Sequence, residues 1–337
     1  MTVEELDDLL STPSEQLVSE IKELKGDIMI LGAAGKMGPS LAMMARRAVD
    51  QAGVDKTVYG VSRFSNSANR ELLESKGIKT ISADLMDEKD LQALPEAENV
   101  IYLVGNKFGT TENAGFTWAV NSYLPGRIAG KFKNSSIVVF SSGNVYPFQE
   151  IKTGGATEKD MPAPLGEYAQ SCLGRERVFE HFSKTNNTPT LIYRLNYAVD
   201  LRYGVLLEVA QSVYNDKPID LTTGHVNVIW QGDANGIALR CLTHCATPPN
   251  ILNVTGPETV SVRWLAHQFG ERLGKEPILK NEEQPTALLN NASKSHRLFG
   301  YPGVTLSQMI EWTADWVLNE GSTLDKPTHF QQRKGKF

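Results

Sequence analysis

The chain has 337 residues, of which 41% are apolar and 22% are charged, and its formal net charge is −5 at pH 7. This mildly acidic balance argues against a general nucleic-acid-binding protein, which normally presents a basic face. No run of about 18 apolar residues occurs, and residues 1–25 are polar and acidic, unlike a signal peptide. We therefore expect a cytoplasmic protein that binds a small molecule and neither nucleic acid nor membrane.

Short apolar segments alternate with amphipathic helical segments along the chain. Continuous apolar runs of this length are typical of strands covered on both faces, and the segments between them supply crossover helices. The pattern predicts an α/β fold, a Rossmann-type doubly wound parallel sheet with a smaller C-terminal substrate-binding lobe. The predicted strands are residues 27–31, 57–61, 80–81, 99–104, 136–140, 190–194 and 251–254.

The same pattern predicts how the chain divides into domains. The polar, basic end of the chain is predicted to be loosely held. The predicted parts are an N-terminal helical extension (1–25), a dinucleotide-binding Rossmann domain (26–195, with 226–255 returning to it), a substrate-binding lobe (196–225 and 256–320) and a flexible tail (321–337).

A glycine-rich loop with the sequence GAAGKMG follows the first predicted strand and precedes a helical segment. Glycines let the backbone turn sharply and approach a diphosphate, and the helix N-terminus presents unpaired N–H groups to its negative charge. Because strand, loop and helix occur in the required order, the loop is predicted to bind a dinucleotide, with a purely structural turn as the alternative. The predicted cofactor contacts in the loop are Gly32, Gly35, Lys36, Met37 and Gly38.

The ends of the second and third strands bear on the choice of cofactor. An NAD-selective site usually places an acidic residue after the second strand, whereas this chain has Ser62 and Arg63. Arg63 together with Lys36 could hold a 2′-phosphate, so NADP is favoured over NAD; a solvated loop cation is the alternative for Arg63. Asp84 and Leu85 are placed for an adenine contact, and a capping role is the alternative for Asp84.

Several further motifs carry a family resemblance. Residues 141–146, SSGNVY, resemble a serine-containing segment that follows the fifth strand, and residues 164–168, PLGEY, resemble the approach to a catalytic tyrosine. Residues 230–233 and 253–261 match signatures of the second half of the same family. From about residue 26 to residue 319 the chain resembles the extended short-chain dehydrogenases/reductases of the NAD-dependent epimerase/dehydratase family.

The resemblance implies a catalytic pair. Ser142 would hydrogen-bond the substrate oxygen, and Tyr168 would exchange its proton while hydride passes to or from nicotinamide. The alternative is an ordinary strand-end hydroxyl and an aromatic residue on a helix face. In the family a lysine follows the tyrosine four residues later on the same helix face, but this chain has Cys172 there. A thiol offers no cation to favour the tyrosinate.

Two cations could compensate for the missing lysine. Lys107 resembles the lysine that UDP-galactose 4-epimerases place against the cofactor, and Arg175 lies seven residues beyond Tyr168 on the same helical face. An exposed or dimer-interface charge is the alternative. A nucleophilic role for Cys172 is disfavoured, because nothing nearby in the sequence marks it as a thiolate. The three cysteines show no zinc-type pairing, and no metal site is predicted.

The substrate side departs from the family pattern. Residues 194–204, RLNYAVDLRYG, resemble the family segment RLFNVYGPRYG without gaps, which places Asn196 and Tyr197 at the substrate. Tyr197 replaces an asparagine that helps to bind the diphosphate of nucleotide sugars, and Val226 replaces an arginine that clamps it. Loss of a polar contact and of a cation argues against a nucleotide sugar.

Two functions remain open from the sequence. The first is an NAD(P)-dependent oxidoreductase or epimerase acting on a small sugar, sugar acid or related hydroxy or carbonyl compound. The second is a dinucleotide-binding sensor or regulatory protein with little redox activity, which the missing lysine would allow. The helical segments 114–133 and 165–184 resemble the pair with which the family builds a twofold four-helix interface, so we expect a homodimer.

Overall fold

The computed structural model describes residues 1–107, 109–110 and 112–335. At the centre of this part of the chain lies a sheet of seven parallel strands. In chain order they are β1 (Ile28–Leu31), β2 (Val58–Ser62), β3 (Lys79–Ser82), β4 (Asn99–Tyr102), β5 (Ser136–Ser142), β6 (Thr190–Leu195) and β7 (Asn250–Val254).

The order of the strands defines the fold. Across the sheet it is β7-β6-β5-β4-β1-β2-β3, and each adjacent pair is parallel. The chain runs outward from β1 on one side and then returns to β4 on the other. This reversal creates a crevice at the carboxyl ends of β1 and β4. All seven predicted strands are present, and the predicted Rossmann-type fold is confirmed.

Helices connect the strands and build the rest of the molecule. They are α1 (Val3–Ser11), α2 (Glu15–Glu23), α3 (Gly38–Ala52), α4 (Ser67–Ser75), α5 (Glu88–Ala93), α6 (Ala114–Trp118), α7 (Leu124–Lys131), α8 (Gly166–Asn186), α9 (Val205–Tyr214), α10 (Gln231–Arg240), α11 (Val262–Leu273), α12 (Ser293–Phe299) and α13 (Leu306–Leu318). Of the helices in the described ranges, none combines the length and the apolar character needed to cross a membrane.

Short elements complete the description. A π-helical turn, Ala119–Tyr123, joins α6 to α7. Single 3-10 turns are Gly143–Val145, Ile151–Thr153 and Cys241–His244. Two-residue strands outside the main sheet are Gln149–Glu150, Ala198–Val199, Ile219–Asp220, His225–Val226, Ile229–Trp230, Val260–Ser261, Leu279–Lys280 and Thr286–Ala287.

Strand β1 explains the uninterrupted apolar pattern of the sheet. Ile28 and Ile30 point into a core shared with α3, whereas Met29 and Leu31 point into a second core on the opposite face. All four side chains are fully buried. Because successive residues of a strand point to opposite faces, a sheet covered by helices on both sides requires apolar residues at every position.

A third core lies in the part of the chain predicted to be the substrate-binding lobe, where α9, α11 and α13 pack together. Leu6 and Leu10 of α1 are fully buried in this core, and Leu17 and Ile21 of α2 join the core of the sheet. The two N-terminal helices therefore brace both parts of the molecule. The exact domain boundaries stay a prediction.

Residues 326–335, here called the C-terminal strap, belong to the tail predicted to be loosely held (321–337), and in the structure they pack against the lobe. Phe330 is buried in the lobe core with 3% of its surface exposed. Arg333 donates hydrogen bonds of 2.7 and 2.6 Å to the carbonyl and hydroxyl oxygens of Thr286 and lies 4.2 Å from the centre of the Phe148 ring. One aromatic residue, Phe330, and one arginine, Arg333, anchor this polar segment. Residues 336–337 of the predicted tail lie outside the described residues.

Candidate active site

A cavity of about 450 Å³ opens at the carboxyl ends of the central strands. Its walls are the glycine loop after β1, the ends of β4, β5 and β6, the start of α8 and the C-terminal strap. Dinucleotide-binding folds take their ligands at this position in the sheet. The cavity brings together the predicted site residues Gly32, Gly35, Lys36, Met37, Gly38, Lys107, Ser142, Tyr168, Arg175, Asn196 and Tyr197.

The glycine loop fits the cradle of a dinucleotide diphosphate. Gly32 has a φ of +96°, a conformation that glycine adopts without steric cost. A Cβ atom at Gly38 would lie 2.4 Å from the carbonyl oxygen of Ala33, so only glycine lets α3 begin this close to the loop. Met37, which precedes α3, makes no side-chain hydrogen bond to the described first turn of that helix. Pro39 has no N–H, and the Gly38 N–H donates to the carbonyl oxygen of Gly35. The Ser40 N–H is therefore the group of this turn that suits an anionic diphosphate.

The structure separates the two residues that were predicted to share a 2′-phosphate. Arg63 is exposed at the end of β2, whereas the Lys36 ammonium donates a 2.9 Å hydrogen bond to the carbonyl oxygen of Ala198, beyond β6. Three strands lie between β2 and β6, a separation of about 19 Å. The structure therefore does not bring Lys36 to Arg63, because the Lys36 side chain extends toward Ala198 on the lobe side instead. Selection of NADP by Arg63 stays a prediction.

The remaining adenine-side residues lie outside the cavity walls. Ser62 ends β2, and Asp84 and Leu85 follow β3, the neighbouring strand. The Asp84 carboxylate accepts a 3.0 Å hydrogen bond from the backbone N–H of Met86, which turns the chain toward α5. Asp84 therefore stabilises a turn, and the residue that caps α5 is Asp87 and not Asp84. An adenine contact by Asp84 or Leu85 stays a prediction.

Ser142 and Tyr168, the predicted catalytic pair, are in direct contact. Ser142 ends β5, and Tyr168 lies in the first turn of α8. The Tyr168 hydroxyl is hydrogen-bonded to the side chains of Ser142 and Cys172. Cys172 is one turn further along α8 and fully buried, as the four-residue spacing predicts. Strand end and helix start thus bring serine, tyrosine and thiol together.

Burial dominates the acid–base behaviour of this trio. It raises the pKa of Tyr168 far above its ordinary value, and the Cys172 sulfur adds to the rise. The Arg175 charge and the hydrogen bond with Ser142 lower the pKa of Tyr168, but by less. Burial also raises the pKa of the Cys172 thiol. Both groups are therefore protonated at neutral pH, so the Tyr168 hydroxyl carries a proton that it can donate.

Arg175 lies behind the pair and is buried, with 5% of its surface exposed. Its Nη1 donates a 2.8 Å hydrogen bond to the carbonyl oxygen of Phe140, and its Nη2 donates a 2.9 Å bond to Oδ1 of Asn121. An exposed or interface charge, the alternative for this residue, is excluded by its burial. Of the two candidate compensating cations, Arg175 lowers the pKa of both Tyr168 and Cys172, whereas Lys107 lowers that of Cys172 and by less.

Asn121, which the sequence analysis missed, organises the wall between the loop after β4 and α8. Its Oδ1 accepts a 2.7 Å hydrogen bond from the backbone N–H of Asn106, and its Nδ2 donates a 3.0 Å bond to the Ser171 hydroxyl. The residue lies in the π-helical turn Ala119–Tyr123, a feature common at functional sites. Helical periodicity predicts a continuous helix over 114–133 and gives no signal of this turn.

Two lysines meet at the ring of Tyr203. The Lys36 Nζ lies 3.7 Å from the ring centre, and the Lys107 Nζ donates a 3.1 Å hydrogen bond to the Tyr203 hydroxyl. Burial lowers the pKa of Lys36 to about 7 and that of Lys107 to about 8. The carboxylate of Asp200 partly offsets the effect on Lys36. Both ammonium groups therefore lose charge at a pH close to neutral.

The charged side chains that line the cavity have one sign. Four basic residues line it, and none of its described lining residues is Asp or Glu. This contrasts with the net charge of −5 for the whole chain. A cavity with this lining favours anionic ligands over neutral or cationic ones. The basic residues are Lys36, Lys107, Arg175 and Lys326.

The predicted substrate residues have different surroundings. Asn196 and Tyr197 line the cavity, and the Asn196 Nδ2 donates a 3.3 Å hydrogen bond to the carbonyl oxygen of Leu288. Tyr197 has a φ of +43°, which is uncommon for a bulky residue and sets its ring at the bend after β6. Val226 is fully buried in the lobe core and packs there instead of facing the cavity.

A buried ion pair fixes the elements that carry the site. Arg194 of β6 and Glu176 of α8 are 2.6 Å apart, with 2% and 3% of their side chains exposed. Glu176 also accepts a 2.5 Å hydrogen bond from the Ser141 hydroxyl of β5, and Arg194 donates a 2.5 Å bond to the Tyr146 hydroxyl. The network ties β5, β6 and α8 together, the elements that position Ser142, Asn196 and Tyr168.

Comparisons with solved structures agree with this fold. A UDP-glucuronic acid 4-epimerase variant from Bacillus cereus, in complex with a fluorinated UDP-glucuronic acid and NAD, is 18% identical, with a TM-score of 0.73 over 87% of this chain and 99% of that one. An epimerase from Methanothermobacter thermautotrophicus is 16% identical, with a TM-score of 0.73 over 91% and 96%. A UDP-glucose 4-epimerase from Thermotoga maritima is 16% identical, with a TM-score of 0.70 over 87% and 99%.

At this level of identity the likeness shows the fold alone, which this chain shares with these epimerases. No protein-family model and no curated protein matches the sequence.

Proposed function

We propose that this protein is an NAD(P)-dependent epimerase or oxidoreductase that acts on a small sugar, sugar acid or related hydroxy or carbonyl compound. The observation that carries the proposal is the hydrogen bond between Ser142 and Tyr168 inside a cavity that the glycine loop also lines. A serine hydroxyl and a protonated tyrosine can both donate to one carbonyl oxygen and polarise it. A bound nicotinamide cofactor would donate or accept the hydride at the adjacent carbon.

The protonation state of Tyr168 indicates which direction of the reaction, reduction or oxidation, is favoured. Because burial raises its pKa, the hydroxyl holds its proton at neutral pH and can deliver it to a developing alkoxide. The reverse reaction needs the tyrosinate, which the charge of Arg175 and the hydrogen bond with Ser142 favour, but by less than burial opposes it. We expect reduction of a carbonyl compound to be faster than oxidation of the alcohol near pH 7.

The substrate side supports a ligand smaller than a nucleotide sugar. Tyr197 fills the bend after β6 where the resembling family has an asparagine, and Val226 is packed in the lobe core. The C-terminal strap adds a further wall to the cavity. The diphosphate of a nucleotide sugar would therefore find Tyr197 and Val226 in place of the asparagine and the arginine that bind it in the family this chain resembles.

A cofactor and substrate screen tests the proposal. The native protein, supplied with NADPH or NADH and a panel of sugar-derived carbonyl compounds, is expected to oxidise the cofactor, as followed by absorbance of the nicotinamide band. Tyr168→Phe should lose this activity while keeping cofactor affinity, because only the proton donor is removed. Full activity in Tyr168→Phe would contradict the proposal. Activity restricted to nucleotide sugars would contradict the smaller substrate.

The alternative is a dinucleotide-binding sensor or regulatory protein with little redox activity. The observation that favours it is the fully buried Cys172 beside Tyr168, at the position where the resembling family has its lysine. A glycine loop that still fits a diphosphate would then bind cofactor without turnover. Tight NADPH or NADH binding by calorimetry, together with no turnover across the panel, is the result expected from this alternative.

A further inference from the structure

The C-terminal strap forms the outer wall of the candidate active site. The strap residues that line the cavity are Lys326, Thr328, His329, Phe330, Gln332 and Gly335. This segment follows α13 and lies far in sequence from every other wall of the cavity. Residues on a strap in this position would contact whatever ligand occupies the space between it and the Ser142–Tyr168 pair.

The strap is held at both ends of the cavity. At the lobe end, the Thr328 hydroxyl donates a 2.7 Å hydrogen bond to the Glu208 carboxylate of α9. At the other end, Gly335 lies against the start of α8, so closely that a Cβ atom at Gly166 would lie 2.0 Å from the Gly335 carbonyl oxygen. Helix α8 carries Tyr168. The strap thus bridges the lobe and the helix of the proposed proton donor.

The lysine ammonium groups lie on the same side of the cavity as the strap. Lys107 donates a 3.3 Å hydrogen bond to the carbonyl oxygen of Thr328, and Lys36 donates to Ala198 beyond β6. The start of α3, by contrast, lies at the glycine loop, where the cofactor diphosphate would bind. The ammonium groups of Lys36 and Lys107 instead contact Ala198, Tyr203 and Thr328.

We propose that the strap, together with Lys36 and Lys107, binds an oxyanion of the substrate, a carboxylate or a phosphate, and that Lys326 and His329 contribute to this specificity. The inference rests on the proposed function, since it assigns the substrate class of the same site. The described lining of the cavity contains four basic residues and no carboxylate, so its lining favours an anionic substrate, while the carboxylates of Asp200 and Glu208 lie behind Lys36 and Lys107. Hydrogen bonds from ammonium groups to oxyanions are stronger than those to neutral hydroxyls.

Matched sugars test the charge requirement. Binding of D-glucuronate, D-glucose 6-phosphate and D-glucose to the protein saturated with NADPH is measured by calorimetry. At least one of the two acidic compounds should bind about tenfold more tightly than glucose, which is the gain expected from one charged hydrogen bond. The better of the two identifies the oxyanion as carboxylate or phosphate. Equal affinity for glucose, or binding of none of the three, overturns the inference.

Strap variants test the location. Lys326→Met should weaken binding of the preferred acid about tenfold through loss of a charged contact, and His329→Asn should weaken it as well. Asparagine suits the φ of +57° at position 329, so the second change leaves the backbone unstrained. Lys334→Met is the control, because this exposed lysine does not line the cavity. Acid binding unchanged in both strap variants would overturn the inference.

Cofactor affinity separates this inference from the proposed function. Both strap variants should bind NADPH as the native protein does, because the glycine loop is untouched. If the native protein binds no cofactor, the proposed function fails, whichever sugars bind. A truncation before Lys326 should abolish acid binding and retain cofactor binding. Since it also removes the buried Phe330, the point variants carry the test if the truncated chain does not fold.

Discussion

The hydroxyl of Tyr168 is hydrogen-bonded to the thiol of Cys172, one turn further along the same helix. A lysine at position 172 would place a positive charge beside the tyrosine and favour its ionised form. The thiol does the opposite, because its sulfur raises the pKa of Tyr168 and is itself fully buried. The side chain at position 172 therefore bears directly on whether Tyr168 can act as a base.

Cys172→Lys tests this relationship. An ammonium group close to a tyrosine lowers its pKa by roughly 1 to 3 units, so the variant should oxidise alcohols faster and at lower pH than the native protein. The measurement is the pH profile of turnover with NADP and a panel of sugar alcohols. Cys172→Met, a change that adds volume without charge, is the control. Should the lysine variant show no turnover although it binds cofactor, the sensor function becomes the better explanation.

The lowered pKa values of Lys36, about 7, and Lys107, about 8, predict a pH dependence of anion binding. Each ammonium is charged below its pKa, so affinity for NADPH or an acidic sugar should be highest near pH 6 and fall as pH rises through 7 to 9. Titration calorimetry from pH 6 to pH 9 measures this. Lys36→Met should reduce the change in affinity around pH 7, where Lys36 loses its charge. Lys76→Met, at an exposed position, should leave the pH dependence unchanged.

Arg63 is the other residue that the sequence predicts to bind the 2′-phosphate of NADP, since Lys36 contacts Ala198. The exposed guanidinium at the end of β2 should bind a 2′-phosphate and contribute little to NAD. Arg63→Asp is expected to weaken NADP about tenfold or more and to leave NAD affinity equal or higher, as measured by calorimetry with each cofactor. Arg70→Asp on the exposed face of α4 is a control. Tighter binding of NAD than NADP by the native protein would contradict the preference.

The buried pair of Glu176 and Arg194 should be necessary for stability. Glu176→Gln keeps the shape but leaves a buried guanidinium without its counter-charge, which costs about 3–5 kcal/mol in the free energy of unfolding. Urea denaturation of both proteins measures the loss. Glu180→Gln is the matched control on the same helix, because its ion pairs with Arg177 and Lys184 are largely solvent-exposed and contribute roughly 0–1 kcal/mol. Equal losses would argue against the proposed role of the network.

The homodimer stays a prediction, and exposed aromatic side chains identify the face to test. Phe116, Trp118 and Tyr123, on α6 and the π-helical turn, are 47%, 38% and 62% exposed. Sedimentation of the native protein should give twice the mass of the chain, and Tyr123→Glu should shift it toward the monomer. Tyr301→Glu alters a side chain that is 75% exposed elsewhere, and it should leave the native mass unchanged. A monomeric native protein at micromolar concentration would refute the dimer.

Local sequence patterns by themselves predicted the central sheet, the glycine loop and the contact between Tyr168 and Cys172. The continuous apolar runs predict the inner strands of the sheet, because a strand buried on both faces needs an apolar side chain at each position, whereas the edge strand β3 is more polar and partly exposed. The glycine loop is also local, since its turn and the start of α3 depend on residues 32–38 and their immediate neighbours. The four-residue spacing of Tyr168 and Cys172 predicts their contact for the same reason.

The surroundings of these residues were decided only by the tertiary structure. Lys36 reaches Ala198, 162 residues away, and Lys107 reaches Thr328, 221 residues away, so no local pattern indicates either contact. The strap has a polar composition, and the burial of Thr328 and Phe330 fixes its position on the lobe. Periodicity reports which face of an element is apolar, but not which distant segment covers it. The charge and the outer wall of the candidate site depend on such long-range contacts.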